Sequence, residues 1–168
     1  FLPDELTTIR EYAFSGNTNL EMIVIPMNVR TIENNAFYAC TNLKHVYYLG
    51  TSSPTSIGTN IFTNTQVNQI KVKNGYSISF GGKSSTQMNE THINELIYFF
   101  DETTGLFVVY GNGNMGYYDT ESNPWTIAPW KDFLLTKIKY AIMYLCVVHY
   151  ASHKHYLKMG LKIHQLYE

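Results

Sequence analysis

The sequence predicts a β-rich repeat solenoid followed by a small β-hairpin unit, and three observations predict it. One pattern is written twice between Leu2 and Tyr47: Pro3 is answered by Pro26, Ile9 by Ile32, Ala13-Phe14 by Ala36-Phe37 and Leu20 by Leu43. The spacing is about 23 residues, and apolar residues recurring at fixed offsets over such a period are the signature of leucine-rich-repeat coils that bury one side by stacking. From Lys73 to Thr91 the composition shifts to Gly, Ser, Asn and Lys, which reads as a linker. Beyond it, two aromatic and β-branched runs, Leu96 to Phe100 and Leu106 to Tyr110, flank Asp101-Glu102-Thr103-Thr104-Gly105, the pattern of a β-hairpin with a Gly-containing loop.

Within each coil the offsets have a physical reading. Leu20, Ile23 and Ile25 form a short strand whose inward residues face the interior, and Leu43, Val46 and Tyr48 are their partners one coil later, so parallel pairing between coils is expected. Ala36-Phe37 then sets a small residue beside a ring that fills the interior. The polar stretches Ser15-Gly16-Asn17-Thr18-Asn19 and Ala39-Cys40-Thr41-Asn42 supply turn residues. Cys40 stands at the offset of Asn17 and is expected to be a small buried packing residue. A third, irregular coil runs through Tyr48, Ile57, Phe62, Val67, Ile70 and Val72 with Gly50 to Ser56 inserted, and is expected to cap the stack. The expected units are therefore a repeat array over 1–72, a linker over 73–92, a hairpin unit over 93–142 and an atypical tail over 143–168.

The run Ile25-Pro26-x-x-Val29-x-x-Ile32-x-x-x-Ala36-Phe37-x-x-Cys40-x-x-Leu43-x-x-Val46 resembles the repeat of BspA-like leucine-rich-repeat proteins. Asn34 departs from it, standing where that family commonly has Gly, although Asn also tolerates a left-handed backbone. Gly111-x-Gly113-x-Met115, with Pro124-Trp125 and Pro129-Trp130, resembles the segment that recurs between repeat arrays of the same family. The resemblance implies a cell-surface or secreted repeat protein of the adhesin type, with a protein partner. Because the pattern is already running at Leu2, the chain reads as a fragment of a longer one. Membrane association is then expected only through a segment outside this chain.

Composition narrows the alternatives. Twelve Lys and Arg against 13 Asp and Glu give a formal charge of -1, so the electrostatic footprint of a nucleic-acid binder is missing. Cys40 and Cys146 stand far apart and make no disulfide framework. Gly111-x-Gly113-x-x-Gly116 matches a dinucleotide fingerprint in form, but the turn-rich run Tyr117 to Pro124 follows it, where that fingerprint needs a helix. Asp101-Glu102 and Asp119-x-Glu121 lie in turns, where solvated acids are ordinary. His149, His153 and His155 have no Cys or carboxylate at a ligand spacing. No catalytic, cofactor-binding or metal-ligating residue is assigned, and an enzyme is the least supported class.

Repeat arrays bind through extended faces, and the residues alternating outward on the coil strands are Met22, Val24, His45, Tyr47, Gln69 and Lys71. That row is the expected binding face, with a structural spacer lacking its own ligand as the alternative. Asn89-Glu90-Thr91 is an N-glycosylation triplet. For the tail there are two expectations: an amphipathic helix from about Phe133 to Leu157 covering the hairpin, or a change of reading frame near Tyr144. Peptide mass spectrometry through that point distinguishes them.

Overall fold

A computed structural model describes residues 2–93, 96–111 and 140–145. Its strands are β1 (Thr8–Ile9), β2 (Met22–Ile25), β3 (Thr31–Ile32), β4 (His45–Tyr48), β5 (Ser56–Ile57), β6 (Gln69–Val72), β7 (Ser84–Gln87), β8 (Glu90–Ile93), β9 (Leu96–Asp101), β10 (Leu106–Gly111) and β11 (Tyr140–Leu145). They fall into two compact units that divide between Met88 and Asn89.

In the first unit the first three coils each contribute one strand to each of two parallel sheets, ordered β2-β4-β6-β7 and β1-β3-β5, and β7 adds a fourth strand to the larger. The register follows the repeat: Ile23 stands beside Val46 and Val46 beside Ile70, while Ile25, Tyr48 and Val72 form the next row. Ile9 stands beside Ile32, and Ile32 beside Ile57. The inward side chains make one core from Leu2 through Phe80. Along it the rings of Phe14, Phe37 and Phe62 stack at centroid spacings of 5.2 and 5.6 Å with interplanar angles of 8° and 17°. Offset stacking at this distance adds to the burial each ring already contributes.

The turns repeat as faithfully as the strands. Tyr12, Asn35 and Asn60 share one offset and have φ near 56° to 57°, and Gly16, Ala39 and Asn64 share another with φ of 73°, 59° and 57°. Two left-handed residues per coil therefore bend the chain around the Phe. Only Gly adopts that region without steric cost, and Asn tolerates it better than most. The left-handed asparagine in the second coil is Asn35 rather than Asn34. Asn34 instead accepts, at Oδ1, the backbone N–H of Thr59 at 2.9 Å.

The Gly50 to Ser56 insertion is absorbed locally. Tyr48 turns its hydroxyl to the carbonyl of Ser52 at 2.8 Å, and a side chain at position 50 would sit only 2.3 Å from the Tyr48 ring. That is why glycine stands there.

The stretch expected as a linker, 73–92, is structured instead. Ile78, Phe80 and Met88 are buried, β7 extends the sheet beside β6, and Phe80 sets its ring 6.1 Å from Phe62 and edge-on to Tyr48 at 5.4 Å. The third coil is thus followed by a shortened fourth, whose Gly and Ser content mimics a linker because its strand is polar and its turn is pared down. Residues 90–93 form β8 of the second unit.

That second unit is a sheet ordered β11-β10-β9-β8. The expected hairpin is β9 and β10, antiparallel with Phe99 beside Val108. Its turn is held by Asp101, whose carboxylate accepts the N–H of Thr103 at 2.9 Å, and by Gly105 N–H on the Asp101 carbonyl at 2.8 Å. Residues Leu106 to Val109 are all buried, as befits a central strand covered on both faces. Residues 140–145 pair parallel with β10, so the helix expected from Phe133 to Leu157 does not run through them. An apolar run of this length is ambiguous between helix and strand by pattern alone. The remainder of the tail, the Pro-Trp segment and the histidine triplet lie outside the described residues.

Candidate protein-contact surfaces

Parallel stacking brings residues of equal offset side by side, about 4.8 Å apart between strands. On the outward face of the larger sheet, Met22 stands beside His45 and Val24 beside Tyr47, Tyr47 beside Lys71, and Gln69 and Lys71 beside Ser84 and Thr86. Strand alternation holds, since neither Val24 nor Tyr47 belongs to the interior core. Outward is nevertheless not exposed. Val24 is 3% and Tyr47 0% accessible, so these two members of the expected row are not available at the surface. A period of two assigns a side chain to a face and leaves open what covers that face. Gln69 is exposed, and Met22, His45 and Lys71 are half-buried. The Lys71 ammonium sits 5.2 Å from the Tyr47 ring centroid, within reach of a cation–π attraction.

A second surface was not legible in the sequence. Residues Gly58 to Thr63 of the third coil and Gly81, Gly82 and Lys83 of the fourth line an open groove of about 560 Å³. Its signal is the spacing from Phe62 to Phe80, about 18 residues against about 23 earlier, which shortens one coil and leaves its neighbour partly uncovered.

The remaining chemistry serves structure. Cys40 is fully buried, and its thiol donates to the Phe14 carbonyl at 2.9 Å. Asn17 Nδ2 donates to the same carbonyl, while Thr65 Oγ1 donates to the Phe62 carbonyl. One offset thus carries Asn, Cys and Thr, each satisfying a backbone acceptor. Burial pushes the Cys40 thiol and the Tyr48 hydroxyl above their ordinary pKa, partly offset by the hydrogen-bonding environment at Asn17 and by the Arg30 charge respectively. Asp4 is raised by burial first and by Glu5 second, against a lowering by Lys73, and among the described residues its Oδ1 meets no hydrogen-bond donor. Asp101 is engaged in its own turn. Among the described residues no three His, Cys, Asp or Glu side chains converge as metal ligands, and no helix is long and apolar enough to cross a membrane.

The model of the family described as BspA type leucine rich repeat region (6 copies) matches residues 1–103. The chain belongs to the BspA-type leucine-rich-repeat family. The match runs past Met88 through β8 and β9 into the hairpin turn. No curated protein and no solved structure matches the chain. BspA-type repeats form β-rich scaffolds, and repeat scaffolds present extended surfaces rather than enclosed catalytic pockets.

Proposed function

We propose that this chain is part of a cell-surface or secreted repeat protein that makes adhesive protein contacts through its solenoid and catalyses no reaction. The observation that carries the reading is the in-register ladder on the larger sheet, where Met22 and His45 stand beside one another and Gln69 is followed by Ser84. A ladder of this kind offers a partner a repeating row of apolar, imidazole, amide and hydroxyl groups on a rigid backing. Such a row gains affinity from preorganisation rather than from deep burial.

The test is adhesion of beads coated with the chain to host-cell monolayers. The double variant His45→Glu, Gln69→Lys is expected to lower retention at least tenfold, with an unchanged circular-dichroism spectrum; equal retention removes this face from the reading. A structural spacer without its own ligand is the second reading, and the burial of Val24 and Tyr47 favours it, because the middle of the same face is already covered. Beads that show no retention above an uncoated control support the spacer.

A further inference from the structure

The turns of the first two coils donate backbone N–H groups to carbonyls of the next coil. Tyr12, Phe14 and Gly16 donate to Asn34, Ala36 and Tyr38 at 3.3, 2.8 and 2.8 Å, and Asn35, Phe37 and Ala39 donate to Thr59, Ile61 and Thr63 at 2.9, 3.1 and 2.9 Å. In the third coil the same positions are Asn60, Phe62 and Asn64, and Asn60 and Asn64 keep the left-handed φ of their predecessors. Their three N–H groups meet no acceptor among the described residues.

The cause is the short fourth coil. It continues the larger sheet with β7 and the ring ladder with Phe80, but it supplies neither a partner for β5 nor a turn to accept these bonds. Among the described residues β5 is the edge of its sheet, and Ser56 and Ile57 are both exposed. One open edge therefore runs from Ser56 to Asn64, with the groove along it. Backbone donors left without acceptors are costly when shielded from water and are a ready template for another chain. Among the described residues, Lys83 is the charged side chain that lines the groove.

We propose that this edge docks an extended acidic peptide segment of a partner protein. The segment adds to β5 as a parallel strand and then presents carbonyls at alternate residues to Asn60, Phe62 and Asn64, as Thr59, Ile61 and Thr63 already do for the second coil. A carboxylate of the segment faces Lys83. Main-chain pairing supplies affinity, and the charge supplies selectivity. The groove is lined by turn residues and not by the strand residues of the ladder, so this inference stands or falls independently of the adhesive reading.

The experiment titrates the ¹⁵N-labelled 168-residue chain with an end-blocked peptide of the sequence at positions 31–39, which contains Glu33 and the carbonyls that serve the first coil. Saturable downfield shifts of the Asn60, Phe62 and Asn64 amide protons are expected. Fluorescence anisotropy with the labelled peptide is expected to weaken about tenfold for Lys83→Glu and to weaken likewise when the peptide glutamate is replaced by glutamine. Shifts confined to the β7 edge, or no saturable shift, overturn the docking edge. Equal affinity of the glutamine peptide, or of the folded Lys83→Glu and Lys83→Gln variants, overturns the acidic class of ligand.

Discussion

The thiol of Cys40 donates a hydrogen bond to the carbonyl of Phe14, 26 positions earlier in the chain and one coil below. It lies in the same core as the Phe37 ring and is fully buried. Burial raises its pKa, so between its unfolded and folded values the native state holds more protons than the unfolded one. Stability contributed by the protonated thiol is complete below the unfolded value, near the ordinary 9.0, and falls as pH rises through the folded one. Thermal melts from pH 8 upward are expected to show that fall, and Cys40→Ala to shallow it without abolishing it, because Tyr48 is raised in the same sense from 10.0. Iodoacetamide labelling read by peptide mapping should leave Cys40 unmodified until denaturant is added.

Phe37 is the middle ring of a stack and has no exposed surface. Phe37→Ala removes its burial and leaves a cavity between coils, at a cost of about 3–5 kcal/mol. Phe14, at the end of the stack and half-buried, should cost less. Urea denaturation of both variants gives the comparison.

Two glycines separate steric from conformational demand. A Cβ on Gly58 would fall 2.3 Å from the backbone nitrogen of Asn34, so Gly58→Ala must push two coils apart and is expected to cost about 1–3 kcal/mol or more. At Gly16 there is open space but a φ of +73°, and Gly16→Ala should cost roughly 1–2 kcal/mol from backbone strain alone. Gly16→Asn should recover much of it, as Asn64 occupies the equivalent position. Chemical denaturation midpoints distinguish the two classes.

Tyr48→Phe keeps the buried ring and removes the hydroxyl that holds the Ser52 carbonyl. A loss of roughly 0.5–1.5 kcal/mol is expected. Limited proteolysis should cut faster within Gly50 to Ser56 while leaving the strand core intact.

The coil strands were legible because a single constraint wrote them: side chains that share an interior must recur at one offset. Ile9 and Ile32 pair as that offset requires, as do Val46 and Ile70. The fourth coil was not legible because Ser77 to Lys83 is dominated by Gly and Ser, and only Ile78 and Phe80 carry its apolar signal. The candidate face was half legible. Alternation placed Tyr47 outward correctly, but accessibility depends on segments distant in sequence, about which a local period says nothing. The strand at 140–145 was hidden by its composition, since β11 reads Tyr-Ala-Ile-Met-Tyr-Leu and fits either secondary structure.

Between the second and third coils the spacing lengthens, by two residues at the smaller sheet and the ring stack and by one at the larger sheet, yet both sheets and the ring stack stay in step. Register is held by the buried rails, and the loop over Tyr48 is free to vary in length. Loop closure becomes only slowly more costly with added residues. The exposed tip from Thr51 to Ser53 is therefore a natural grafting point: an epitope or fluorophore-binding tag spliced there would ride on the scaffold without asking any coil to move.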